Sequence, residues 1–189
     1  MDLEDVRKDI NQIVLTNSVR DKQNIVVTYI PELKSMMGFE HKHPHHHLDV
    51  WNHTLVVLDN LSDSNMLDLK MAGLLHDIGK PFSYKEEEVR HFHGHPEVSA
   101  KMCKEILERL GYDENFISNV YYLVRKHDTP IDIDNLDNND EMIRKLLKLQ
   151  YADAKAHHPD KITKRIEFLD NIREQFEEKV KVKEDEERI

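Results

Sequence analysis

A chain of 189 residues that is 39% hydrophobic and 34% charged has apolar mass for one substantial core and too little length for two large domains. Its 5 glycines and 6 prolines favour helices joined by short loops over a sandwich or barrel. Its formal charge of −10, from 27 basic and 37 acidic residues, opposes nonspecific attraction to a phosphate backbone but leaves room for one local basic pocket. Cys103 is the only cysteine, so an internal disulfide is excluded. The N-terminus MDLEDVRKDI lacks the apolar segment of a signal peptide, and no run nears the roughly 20 apolar residues of a bilayer span. The expectation is a cytoplasmic protein with no membrane partner.

In chain order, Leu3, Val6, Ile10, Ile13 and Val14 recur at helical spacing and predict a first amphipathic helix. A second is predicted from about residue 21 to 30, ending at Pro31, whose ring and missing N–H disfavour continuation. Residues 39–47, FEHKHPHHH, read as a polar loop. Further helices are predicted at about 48–62, 66–79, 96–110, 113–128, 139–156 and 159–180. Pro96 suits a first helical turn and Gly111 a terminator. Ile162, Ile166, Leu169, Ile172 and Phe176 give the last helix an apolar face, and residues 183–189 read as a charged, frayed tail. The fold class is a single all-α helical bundle, with residues 1–38 packing on a core unit of 39–182.

Ionisable residues interrupt four of these apolar stripes. His53 falls in line with Val50, Val57 and Leu61, and His76 with Leu69, Ala72 and Gly73. His127 continues Ile117, Val120 and Val124; Asp153 continues Ile143, Leu146 and Leu149. A buried unpaired carboxylate costs several kcal/mol, so such groups are normally paired or bound to metal. Four of them on four helices suggest one shared cation between helices. Asp77 follows His76 directly, about 100° away on a helix, so both can reach the same ion. The metal set read from the chain is therefore His53, His76, Asp77 and Asp153, nitrogen and carboxylate donors suited to a catalytic divalent ion. Such donors do not distinguish Mn, Fe, Ni, Co, Mg or Zn.

Gly79 would let the backbone turn sharply or let substrate approach, and Lys80 would set a compact positive charge near a phosphate oxygen. The bland alternative makes His76–Asp77 a surface dipeptide and Lys80 an ordinary charge at a helix C-terminus. His95 and His127 could hold a second metal or the substrate phosphate, or could be a helix cap and a core histidine. The cluster His41, His43, His45, His46 and His47 has no helical spacing and is read as exposed. Trp51, Tyr121 and Tyr122 read as packing residues.

Five stretches, HPHHHLDVWNHTLVVLDN (43–60), AGLLHDIGKP (72–81), HFHGHPEVSA (91–100), LVRKHDTPI (123–131) and LQYADAKAHHP (149–159), resemble the HD superfamily of metal-dependent phosphohydrolases. The branch most similar is the HD domain that follows the catalytic part of bacterial CCA-adding tRNA nucleotidyltransferases. The resemblance spans roughly residues 40–175 and implies an all-α HD domain with metal ligands His53, His76, Asp77 and Asp153. It also implies a second-metal or substrate role for His95 and His127. The nucleotide-transferring half of those enzymes has no room in this chain, so CCA addition is not expected. The resemblance implies instead a phosphomonoesterase or phosphodiesterase acting on a nucleotide or an RNA-end phosphate, with Asp77, Lys80, His95 and His127 in catalysis. The competing expectation is a noncatalytic, metal-stabilised RNA-binding or regulatory module.

Overall fold

A computed structural model describes residues 2–85, 87–136 and 139–188. Its helices lie close to the places the periodicity marks: α1 Leu3–Leu15, α2 Gln23–Tyr29, α3 Val50–Asn60, α4 Leu67–Leu75, α5 Lys80–Ser83, α6 His95–Arg109, α7 Glu114–Lys126, α8 Asp140–Lys155 and α9 Pro159–Glu187. Among the described residues there is no strand, only two isolated bridges, Glu40 with Asp49 and Lys85 with His91. The fold is all-α.

Capping explains several boundaries. Asp49, Asp113 and Asn139 accept hydrogen bonds from the first-turn amides of α3, α7 and α8. Gly111, at φ +72°, ends α6 through paired bonds from its own amide to Glu108 O and from Tyr112 N to Leu107 O. Pro31 does end α2, and it also opens a 3-10 turn, Pro31–Met36, that buries Leu33 and Met36. The segment expected to fray at the C-terminus is instead helical, because α9 continues past the buried Phe176 and Val180 to Glu187.

The element that organises the rest is α4. Residues 68 to 75 are buried on every side, as expected of a helix apolar all round. Helices α1, α3, α7 and α8 all pack against it, and α6 and α9 close the bundle against α7 and α8. Ile10, Ile13, Val26 and Ile30 of the first two helices enter the same apolar core as Leu69, Leu74 and Leu149. The C-terminal end of this central helix therefore opens where α3, α6, α7 and α8 converge. No helix is long and apolar enough to cross a membrane among the described residues.

Candidate metal centre

His76 and Asp77 follow the last residue of α4. The chain tightens there through bonds from Ile78 N to Leu75 O and from Lys80 N to Asp77 O, so both side chains leave the helix end in one direction. Gly79 has an ordinary φ of −82°, so neither a left-handed turn nor substrate approach requires it. What requires it is α6: an added Cβ would lie 2.5 Å from Ser99 N and 3.0 Å from His95 O, and Gly79 N donates to Ser99 Oγ at 2.9 Å.

The six helices α3 to α8, or their ends, then deliver side chains to one region. His53 Nε2 lies 2.9 Å from Asp153 Oδ1 and 3.7 Å from Asp77 Oδ2. His76 Nε2 lies 3.2 Å from Asp77 Oδ2 and 3.8 Å from Asp153 Oδ1. On the other side of Asp77, Oδ1 is 3.3 Å from His95 Nε2 and 3.6 Å from His127 Nε2, and those two nitrogens are 3.2 Å apart. Lys80 Nζ pairs with Asp77 Oδ2 at 2.8 Å. All seven residues are buried, His53, His76 and Asp77 completely.

The hydrogen bonds on the far side of each ring determine which atoms face inward. Nδ1–H of His76, His95 and His127 donates to the carbonyls of Gly73, Phe92 and Val124, at 2.8, 2.9 and 2.6 Å. In the neutral tautomer this leaves Nε2 of those three rings as a lone pair, whereas Nε2–H of His53 donates to Asp153 Oδ1 at 2.9 Å. Lone pairs of His95 and His127 thus face each other, and that of His76 faces carboxylate oxygens. Neither oxygen of Asp77 nor Nε2 of His76 has an aligned hydrogen-bond donor. Acceptors converging without donors require a proton or a cation between them.

Burial alone would lower the His76 pKa, but the Asp77 and Asp153 carboxylates outweigh it and raise it. Burial would likewise raise both aspartates; His76 and Lys80 hold Asp77 well below the ordinary range, and His53 and His157 hold Asp153 there. The donor set fits a divalent cation. Two triads could hold one: His53, His76 and Asp153, and His76, Asp77 and His127.

The family model of the HD domain matches residues 45–188. The chain belongs to the HD-domain family. It is 33% identical over 113 residues to the CC-adding tRNA nucleotidyltransferase of Thermus thermophilus, covering 57% of this chain and 26% of that protein. It is 32% identical over 140 residues to the A-adding tRNA nucleotidyltransferase of Deinococcus radiodurans, covering 67% and 32%. A multifunctional CCA protein of Nitrosospira multiformis is 30% identical over 100 residues, covering 52% and 24%. The chain spans about a quarter to a third of the length of these relatives.

The HD domain also recruits residues that helical spacing did not single out. The loop at 39–49 does not lie open as expected. Backbone bonds from Val50 N to Phe39 O, Arg90 N to Lys42 O and His158 N to His45 O fold it over the metal centre. His41, read as exposed, is buried; its Nδ1–H donates to Leu48 O at 2.8 Å, and its Nε2 accepts from Lys80 Nζ at 3.2 Å. Burial, then the Lys80 charge, push its pKa down to about 2. His46 stacks on His41 with ring centroids 3.8 Å apart, and His157 lies edge-on to His46 at 4.7 Å, its Nε2 3.7 Å from Asp153 Oδ2. Burial lowers the pKa of both, which keeps them neutral. A signal existed for His157, four residues beyond Asp153 on the same face. None existed for His41, whose position depends on loop closure. Trp51 packs in the core as expected, its Nε1–H donating to Gln23 Oε1 at 3.0 Å.

Above the centre is a cavity of about 760 Å³ with Asp77, Lys80, His95, His127 and Asp153 on its floor. Around its mouth stand Arg90, Lys161, Lys164 and Arg165. In a chain of net charge −10, this is a concentration of positive charge at an opening that reaches the buried histidines.

Proposed function

We propose that this HD domain is a metal-dependent phosphohydrolase, a phosphomonoesterase or phosphodiesterase acting on a nucleotide or an RNA-end phosphate. The observation that carries the reading is a set of buried nitrogens and oxygens with fewer donors than acceptors at the floor of a cavity whose mouth is cationic. A purely structural ion would need no such opening; a reacting phosphate ester needs both the ion and the access.

His53, His76, Asp77 and Asp153 would hold the divalent ion, with His95 and His127 available for a second ion or for the substrate phosphate. A bound divalent ion supplies Lewis acidity at phosphorus and lowers the pKa of water. The chain's own groups supply the rest. Asp77, placed between both sides of the centre, orients the attacking water. Lys80, anchored by Asp77 and His41, offsets negative charge that grows on the phosphoryl oxygens. When it is not a ligand, His95 or His127 can take a proton from the attacking water at its free Nε2 and pass it to the leaving oxygen. The carbonyl bonds behind each ring hold these orientations before substrate arrives, and the stacked His41 and His46 restrict water from one side.

Elemental analysis of the purified protein, together with turnover of p-nitrophenyl phosphate, bis-p-nitrophenyl phosphate, mononucleotides and 2′,3′-cyclic nucleotides in Mn, Ni, Co or Mg, tests the reading. Turnover abolished by chelator and restored by one of these ions is expected. Tight RNA binding with metal present and no turnover of any ester would assign the domain to a noncatalytic module instead.

A further inference from the structure

Helix α9 begins beside the metal centre and sends five residues into the cavity lining: Asp160, Lys161, Lys164, Arg165 and Phe168. The last four are spaced i, i+3, i+4, i+7, a single helical face. On the last helix of a bundle, a face turned toward an interior space is ordinarily apolar, and α9 has such a face elsewhere in Leu169, Ile172 and Phe176. Its second inward face carries three cations and one aromatic ring that is 42% exposed. Lys161 and Lys164 enter no ion pair among the described residues. Arg165 reaches only a long 3.9 Å contact to Asp128, and its Nε is buried without a hydrogen-bond partner. Arg90, by contrast, is already engaged: its guanidinium lies 4.7 Å from the ring centroids of both Phe39 and Tyr84 and donates to Glu40 O.

The floor of the cavity already has what one phosphoryl group needs, namely Lys80 and the proposed cation. The cations of α9 lie outside that group, on a strip seven residues long, or about 10.5 Å at helical rise. The only carboxylates among the residues lining the mouth, Asp128 and Asp160, are fewer than the three cations. A substrate charged only at its reacting phosphate would leave this strip unused, whereas a phosphate chain ending in a nucleoside would engage it. The cavity, at about 760 Å³, has room for such a ligand rather than for a phosphate alone.

We infer that the α9 face is a recognition strip in which Lys161, Lys164 and Arg165 hold phosphate groups that do not react and Phe168 stacks on the base of a nucleotide bearing two or more phosphates. This deepens the phosphohydrolase reading and rests on it for the position of the reacting group. Nonetheless, the strip can be tested without turnover. Calorimetric titration of the full chain with adenosine, AMP and ADP in the presence of chelator should show ADP binding more tightly than AMP. K161A/K164A should weaken ADP about tenfold or more, with a smaller loss for AMP. F168A should weaken ADP but not inorganic pyrophosphate, because stacking needs a base. All three positions are at the surface, and unchanged melting temperatures would show that the fold is intact.

Equal affinity for AMP and ADP, or ADP binding unaltered in K161A/K164A, would overturn the assignment. So would a single-stranded oligonucleotide that binds the same strip more tightly than ADP, since the cations would then track a nucleic-acid backbone. If the binding differences hold but no ester is turned over, the strip stands and the hydrolase reading fails.

Discussion

Helix α4 places a buried carboxylate near each end, Asp68 in its first turn and Asp77 just past its last. Asp68 is fully served: Lys145 Nζ lies 2.7 Å from Oδ2, Asn119 donates to the same oxygen at 3.2 Å, and Lys145 also pairs with Glu141 at 2.9 Å. Nearby, Lys70 is equally closed off, donating to Leu15 O and to Asn17 Oδ1 at 2.6 Å. Asp77 has one ammonium at 2.8 Å and is otherwise surrounded by imidazole nitrogens whose protons point away. A polar group buried for architecture has its partners inside the chain. One buried for chemistry keeps its lone pairs for something the chain does not contain.

Substitutions at the two ends should separate these roles. The largest effect is expected for Asp77→Ala: metal content in elemental analysis falls to background, and phosphoester turnover becomes undetectable. Because the variant also leaves the buried Lys80 ammonium with only His41 as a partner, its metal-free form should be less stable than the metal-free parent in denaturant unfolding. An active, metal-free variant would end the proposed role. Asp68→Ala should do the converse. It leaves Lys145 with Glu141 alone and costs about 1–3 kcal/mol of unfolding free energy, while metal content per folded molecule is unchanged.

Gly79→Ala tests the close packing that positions the His76–Asp77 pair. Its Cβ would press on the backbone of α6, with an expected cost of about 1–3 kcal/mol and partial loss of bound metal, read by thermal melting and elemental analysis.

The smallest effect is a pH trend in the metal-free protein. Burial holds His41, His46, His95 and His157 below their ordinary pKa of 6.5, so on acidification the unfolded chain binds their protons first. The stability they contribute is complete above about pH 6.5 and is lost as pH falls toward the folded values. His76 is raised and runs the other way: its contribution is present below 6.5 and lost as pH rises through its folded value. With His43, which partial burial also lowers, five lowered rings against one raised ring predict a net loss of stability between pH 7 and 5, measurable by denaturant midpoints. A profile that is flat or rises on acidification would mean that His76 outweighs the other rings.

The chain alone was enough to identify the helices and the polar intruders on their inner faces, because both depend on one local quantity, the 3.6-residue period. His53, His76, His127 and Asp153 each sit in line with apolar neighbours a turn away, so burial could be read without knowing what lay opposite. Local spacing contains no information about which helices meet. That Asp77 lies between two pairs of histidines, that His41 braces Lys80, and that Gly79 is required by α6 all follow from contacts between residues at least 16 positions apart. In the histidine-rich loop His45 and His47 are exposed as expected, but His41 was misread for the same reason: its burial comes from loop closure through backbone bonds to segments near residues 90 and 158, and no periodic pattern within residues 39–47 encodes those partners. Likewise, nothing in the local spacing of Lys161, Lys164 and Arg165 sets them at the mouth of the cavity; the fold does.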